Sequence, residues 1–187
     1  MTEVEWLKCA YPSDMLLWLT SFDVPERKVL LLLVSAWGDG SEEYSQVSKA
    51  LITGFDQFVE GVISREQLDS ICRRAGAENG APVLYTAENA HYWLATSKPA
   101  RRKACQLIRD IFGNPFCPTV VNAAWLTSDV LALARQMYES RDFSAMPILA
   151  DALQDAGCDS ADILDHCRGP GPHVRGCWVV DSVLGKE

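Results

Sequence analysis

The chain has 187 residues, 48% of them apolar and 22% charged, a balance that excludes intrinsic disorder and a length that can bury a continuous core. Its formal net charge is -8, so its averaged field repels phosphate backbones and anionic membrane surfaces, and neither nucleic acid nor membrane is the expected partner. The longest apolar run, VLLLLV at residues 29–34, falls far short of the roughly 20 residues needed to cross a bilayer.

The opening MTEVEWLKCAYPSD carries acids where a secretory leader is positive. Together with seven scattered cysteines, this leads us to expect free thiols in a reducing cytoplasm. Thr2 and Glu5 have the spacing of a capping box, and Ser13 behind Pro12 offers an N-cap before MLLWL, so two short helices open the chain. Asp23 and Pro25 start the next, PERKVLLLLVSAWGDG, apolar over much of its circumference and stopped at Gly38. Beyond Ser41, Tyr44, Val47, Leu51, Phe55, Phe58 and Val62 recur every three or four residues as one amphipathic stripe. Ser64 with Gln67 makes a further capping box, and Gly76 closes that helix. The segment 75–83, AGAENGAPV, reads as a linker. A single domain over 1–187 is expected, with 1–75 and 84–187 as its natural subdivision.

Thr86 opens TAENAHYWLATS, and Pro99 opens PARRKACQLIRDIFG. In the latter, Ala104, Cys105, Leu107, Ile108, Ile111 and Phe112 share one side and the charges are expected on the other. NPFCPTVVNAAWL lacks a sustained period and reads as an ordered loop with a helical turn at 123–126. Ser128 is placed to cap DVLALARQMYES, Asp142 or Ser144 to cap SAMPILADALQDAG, and Asp159 to cap SADILDHCR. After the Gly-Pro-Gly-Pro turn a last helix is expected from about His173 to Leu184, with a short strand over 174–181 as the alternative. The predicted fold is mainly α, an irregular multi-helix bundle of about 8–10 short helices.

Chemistry concentrates near the end. Cys158, His166, Cys167, His173 and Cys177 lie within 20 residues, and soft thiolates and imidazoles at such spacing suit a tetrahedral zinc ion. On the expected helix, His173 and Cys177 stand at i and i+4 and share a side. Adjacent His166 and Cys167 point about 100° apart, so only one of them ligates. The competing reading is a packed turn with buried thiols. The same residues permit a thiolate and imidazole pair: Cys167 or Cys177 with His173 or His166, oriented by Asp165 or Asp181.

Other features have plainer readings. Cys117 with Pro118 is a turn, and His91, Tyr92 and Trp93 are a core edge. Lys98, Arg101, Arg102 and Lys103 form a solvated basic face, and Asp151 with Asp155 a solvated acidic one. No phosphate loop, dinucleotide fingerprint, zinc-protease motif or nucleophile elbow occurs, so no catalytic residue is assigned. The Cys117-Pro118 dipeptide, of a kind seen in some haem-sensing proteins, is outweighed by the turn reading, and no cofactor is expected, zinc being the one candidate.

The stretches TEVEWL, IRDIFGNPFCP, ILADALQDAGC and HCRGPGPHVRGCWVVD resemble an uncharacterised, paralogue-rich bacterial family, and the resemblance covers about half of the chain. The tail is similar to one that ends otherwise different proteins, which implies a portable module. Cys117 stands where that family more often carries a basic residue. The expected function is therefore a non-catalytic helical module for protein–protein interaction, an adaptor with a protein partner. The alternatives are a metalloprotein with structural zinc in the 158–177 segment and, from another class, a cysteine-dependent enzyme.

Overall fold

The computed structural model describes residues 1–37, 46–74 and 98–186. Among them are ten α-helices, one 3-10 turn and no strand, which is the mainly α class the periodicity predicts. None of these helices is long and apolar enough to cross a membrane. By internal packing the chain forms two compact units, Cys9–Cys105 and the combination of Met1–Lys8 with Gln106–Glu187. The 75–83 segment, the glycine stops at Gly38 and Gly76, and the trio His91, Tyr92 and Trp93 lie outside the described residues.

Helix α1 (Glu3–Lys8) opens with the predicted capping box. The Thr2 N–H donates to Glu5 Oε2 at 2.7 Å and the Glu5 N–H to Thr2 Oγ1 at 3.3 Å.

In the Cys9–Cys105 unit, α2 (Pro12–Leu19) starts at Pro12 itself. Ser13 is therefore inside the helix and not its cap, because proline's fixed φ already suits the first turn. Helix α3 (Glu26–Trp37) buries Leu30, Leu31, Leu32 and Leu33 together, as its nearly all-round apolar sequence requires. Helix α4 (Gln46–Val59) turns its stripe inward: Phe55 is buried and Leu51 and Phe58 pack beside it, while Val62 lies past the helix end and is exposed. Helix α5 (Arg65–Arg74) carries the second capping box, with both Ser64–Gln67 bonds formed. Leu30, Leu33, Phe55, Leu68, Cys72 and Ala104 make a wholly apolar core; Ala104 comes from the first half of α6 (Lys98–Phe112).

The other unit holds the end of α6, the turn Ala123–Trp125, and helices α7 (Ser128–Ser140), α8 (Met146–Asp155), α9 (Ala161–Arg168) and α10 (Trp178–Leu184). Its core runs through Val130, Met137, Leu149, Leu153, Ile163 and Val179. Thr127, not Ser128, caps α7, its Oγ1 accepting from the Val130 N–H at 3.4 Å. Ala145 and Ser160 occupy the cap positions of α8 and α9. Asp142 instead accepts the Ser144 N–H in the turn before α8.

The last helix begins five residues later than the sequence predicts, at Trp178. Gly171 and Gly176, at φ 74° and 98°, hold left-handed conformations that break an α-helix. Residues 173–177 are therefore loop, and neither the longer helix nor the alternative strand forms.

Within this unit α1 is fastened to the end of α6. The buried Trp6 indole donates to the Gly113 carbonyl at 3.1 Å, and the Arg109 guanidinium donates to the Trp6 carbonyl at 2.7 Å. The turn of α6 that carries Asp110 is thereby fixed.

Candidate metal centre

Asp110 is the buried acid of this unit's α6 turn, with 3% of its side chain exposed. An ionised carboxylate removed from water costs several kcal/mol unless it is paired, so its surroundings are informative. Its Oδ1 lies 2.8 Å from His173 Nδ1 and 3.1 Å from His166 Nε2. Its Oδ2 accepts the Val174 backbone N–H at 3.0 Å. The same His166 Nε2 is 3.2 Å from Cys177 Sγ.

One ligand atom from each of Asp110, His166, His173 and Cys177 thus gathers in a group no wider than 4.8 Å. They arrive from four places: the end of α6, the last turn of α9, the loop that follows, and the residue capping α10. This group can hold a metal ion.

Local structure explains how each ligand gets there. His166 sits two residues before the end of α9, and the left-handed Gly171 folds the chain back so that His173 meets it, their rings 4.9 Å apart in a T-shaped contact. A Cβ on Gly171 would stand 2.9 Å from the His173 nitrogen, closer than real Cβ contacts allow. Arg175 pins the loop from the other side, donating to the Tyr138 carbonyl at 2.9 Å with its guanidinium over the Tyr138 ring. Cys177 then enters fully buried at the start of α10.

The electrostatics follow from crowding charge into a dry place. Burial alone pushes the Asp110 carboxyl up, but hydrogen bonds from His166 and His173, and their charge, outweigh it and hold it below the usual range. Burial lowers His173, yet its hydrogen bond to Asp110 and the carboxylate's charge carry it above normal. Both His173 nitrogens face acceptors, Nδ1 the carboxylate and Nε2 the Gly169 carbonyl at 3.4 Å, which favours the imidazolium in the metal-free state. Burial, then Asp110, pushes the Cys177 thiol well above its usual value, although the backbone N–H groups of Val180 and Val179 oppose this.

Of the five residues expected as ligands, three join the group: His166, His173 and Cys177. Cys158 and Cys167 do not; they are buried among apolar side chains of the core, and burial pushes the Cys167 thiol up to about 12. Of the adjacent pair, His166 turns to the centre and Cys167 to the core. His173 and Cys177 meet through a glycine loop, not through the helical i, i+4 spacing.

Asp110 is the member that sequence patterning misses. It stands three residues after Leu107 and beside Ile111, both buried, on the flank of a helix face read as apolar. An acid within that stripe, in the stretch IRDIFGNPFCP, is the signal that marks it.

The arrangement does not suit a thiol-dependent relay. Such a relay uses opposite nitrogens of the imidazole, one toward the nucleophile and one toward the acid. Here His166 presents Nε2 to both sulfur and carboxylate, and a thiol with a raised pKa is a poor nucleophile. Asp165 is exposed, and neither it nor Asp181 belongs to the group. All seven cysteines are free thiols. Compared with known protein families, curated proteins and solved structures, the chain finds no match.

Proposed function

We propose that this protein is a helical module built around a structural zinc ion held by Asp110, His166, His173 and Cys177. The observation that carries the reading is the convergence of four ligand atoms from four separate segments on one point. Tetrahedral zinc, with bonds of about 2.0–2.3 Å, asks for ligand atoms roughly 3.3–3.8 Å apart. The contacts of 2.8, 3.1 and 3.2 Å within a group spanning 4.8 Å need only small adjustments to meet that.

A mixed thiolate, imidazole and carboxylate set favours zinc over the hard cations, which take all-oxygen shells. The outer contacts support the same assignment. His173 would bind through Nδ1 while its Nε2–H donates to the Gly169 carbonyl, and Asp110 would bind through Oδ1 while Oδ2 accepts the Val174 N–H. A backbone partner on the far atom of each ligand is how such sites orient their first shell.

Four protein ligands leave no open position, which is the pattern of a structural centre. The ion would join the end of α6 to the α9–α10 corner. On this reading the module's task is recognition of a protein partner, which a closed, non-catalytic centre allows.

Elemental mass spectrometry of protein purified without a histidine tag tests the metal. About one zinc per chain is expected, lost in His173→Ala. Uptake should release protons and weaken on acidification, because the His173 imidazolium and the Cys177 thiol must both be deprotonated to ligate. Protein free of zinc that takes none up from a zinc buffer would overturn the reading.

A further inference from the structure

The four ligands are not held alike. Asp110, His173 and Cys177 are 3%, 9% and 0% exposed; the Val174 N–H donates to Asp110, His173 Nε2 faces the Gly169 carbonyl, and Cys177 is buried at the start of α10. His166 has 18% of its side chain exposed. Its ring rests edgewise on His173 and tilted against Trp178, with centroids 4.9 and 5.1 Å away, and among the described residues its ring makes polar contacts through Nε2, which faces the centre.

Resting on the zinc reading above, we infer that His166 is the exchangeable ligand: Asp110, His173 and Cys177 form an inner tripod, and the His166 position opens to a small neutral nitrogen donor from solvent. The physical reason lies in what each departure leaves behind. Swinging away Asp110 or His173 strands a backbone donor or acceptor as well as the ion, and Cys177, fully buried, has no path to water without opening the core; unsatisfied buried groups are costly. Swinging His166 away breaks the contacts at Nε2 and two ring contacts, and the imidazole enters water without stranding a buried backbone group. A three-ligand centre with one open position is itself a stable form of zinc coordination.

Cobalt(II) tests this, since it takes the zinc geometry and reports its ligands by absorption. Wild type, His166→Ala and His173→Ala would be loaded with cobalt, with folding checked by circular dichroism, and each titrated with imidazole. The expected result is that His166→Ala keeps about one cobalt per chain with an altered d–d spectrum. Imidazole should then move that spectrum saturably toward wild type. His173→Ala should bind no cobalt with or without imidazole. If alanine at 166 prevents folding, His166→Gln, which keeps the helix-forming chain, is read the same way.

Folded His166 variants that hold no cobalt, or whose cobalt spectrum ignores imidazole, would overturn the inference while leaving the four-ligand centre standing. Wild type that takes up no cobalt would instead remove the centre itself, and this inference with it.

Discussion

The core of the Cys9–Cys105 unit and the α9–α10 corner of the other unit hold their helices together by different physics. The first gathers Leu30, Leu33, Phe55, Leu68, Cys72 and Ala104, and its stability scales with apolar area removed from water. The second gathers a carboxylate, two imidazoles and a thiol around a loop that holds Gly171 and Gly176 in left-handed conformations. Burying such groups lowers stability unless each is paired, and glycine-rich loops lose more backbone entropy on ordering. An apolar core tolerates other apolar side chains of suitable volume, whereas a group that holds an ion requires particular atoms at particular points.

Removing the proposed zinc should therefore separate the two regions most widely. Apparent binding free energies of small structural zinc sites are about 10–16 kcal/mol, more than the whole stability of most domains. Excess chelator should lower the melting temperature and raise amide exchange at Val174, Val179 and Val180, with protection around Leu30, Leu33 and Phe55 changing far less. Equal loss of protection in both regions would erase the distinction.

Substitution sharpens it. Asp110→Ala removes the acid from its buried partners His166, His173 and Val174, and breaking a buried charge pair costs about 3–5 kcal/mol. Phe55→Ala, in the apolar core, should destabilise by about the same amount through its cavity. The two should differ in zinc content: Asp110→Ala loses the ion and Phe55→Ala keeps it. Denaturant titration beside metal analysis reads both, and zinc retained in folded Asp110→Ala would exclude the carboxylate as a ligand.

A smaller effect is expected at the turn. Gly171→Ala forces a side chain into a left-handed conformation, at about 1–2 kcal/mol, and sets its Cβ against the His173 backbone nitrogen. Stability should fall modestly, and zinc affinity should fall with it, because His173 must move. The Gly61→Ala change in the other unit shares the positive φ of 70° but meets nothing within 4 Å. It should match the stability loss and leave zinc affinity unchanged in a competition titration with a chromogenic chelator.

Most of the fold was legible because its signals are local. The capping boxes at Thr2–Glu5 and Ser64–Gln67 form as spaced, and the apolar stripes of α4 and α6 face inward. Caps were misplaced by one residue at α7, where Thr127 and Ser128 are equally able by composition and only the backbone conformation decides. The candidate site was half legible. Clustering of His and Cys pointed to His166, His173 and Cys177, which the fold does gather, but cysteine is also a favoured core residue, so Cys158 and Cys167 carried the same signal with a different fate. Asp110 lies 56 positions before His166, and only tertiary folding brings them together. A pattern that scores charge as solvent-facing places it on the wrong side of its helix.

The smallest expected effects come from the exposed ion pairs, and they test whether burial or mere pairing separates the regions. Arg65 meets Glu26 across the Cys9–Cys105 unit, with side chains 44% and 36% exposed. Arg168 meets Asp151 at 2.9 Å in the other unit, at 42% and 71%. Each joins opposite charges, as Asp110 and His173 do, but in water the Coulomb gain is screened and the ordering of two long side chains opposes it. Double-mutant cycles on Arg65/Glu26 and on Arg168/Asp151 should each give about 0–1 kcal/mol, shrinking further in high salt and leaving zinc content unchanged. A coupling of several kcal/mol at Arg168/Asp151 would mean that α8 and α9 are tied by surface charge, and that the corner owes its rigidity to more than the ligands it buries.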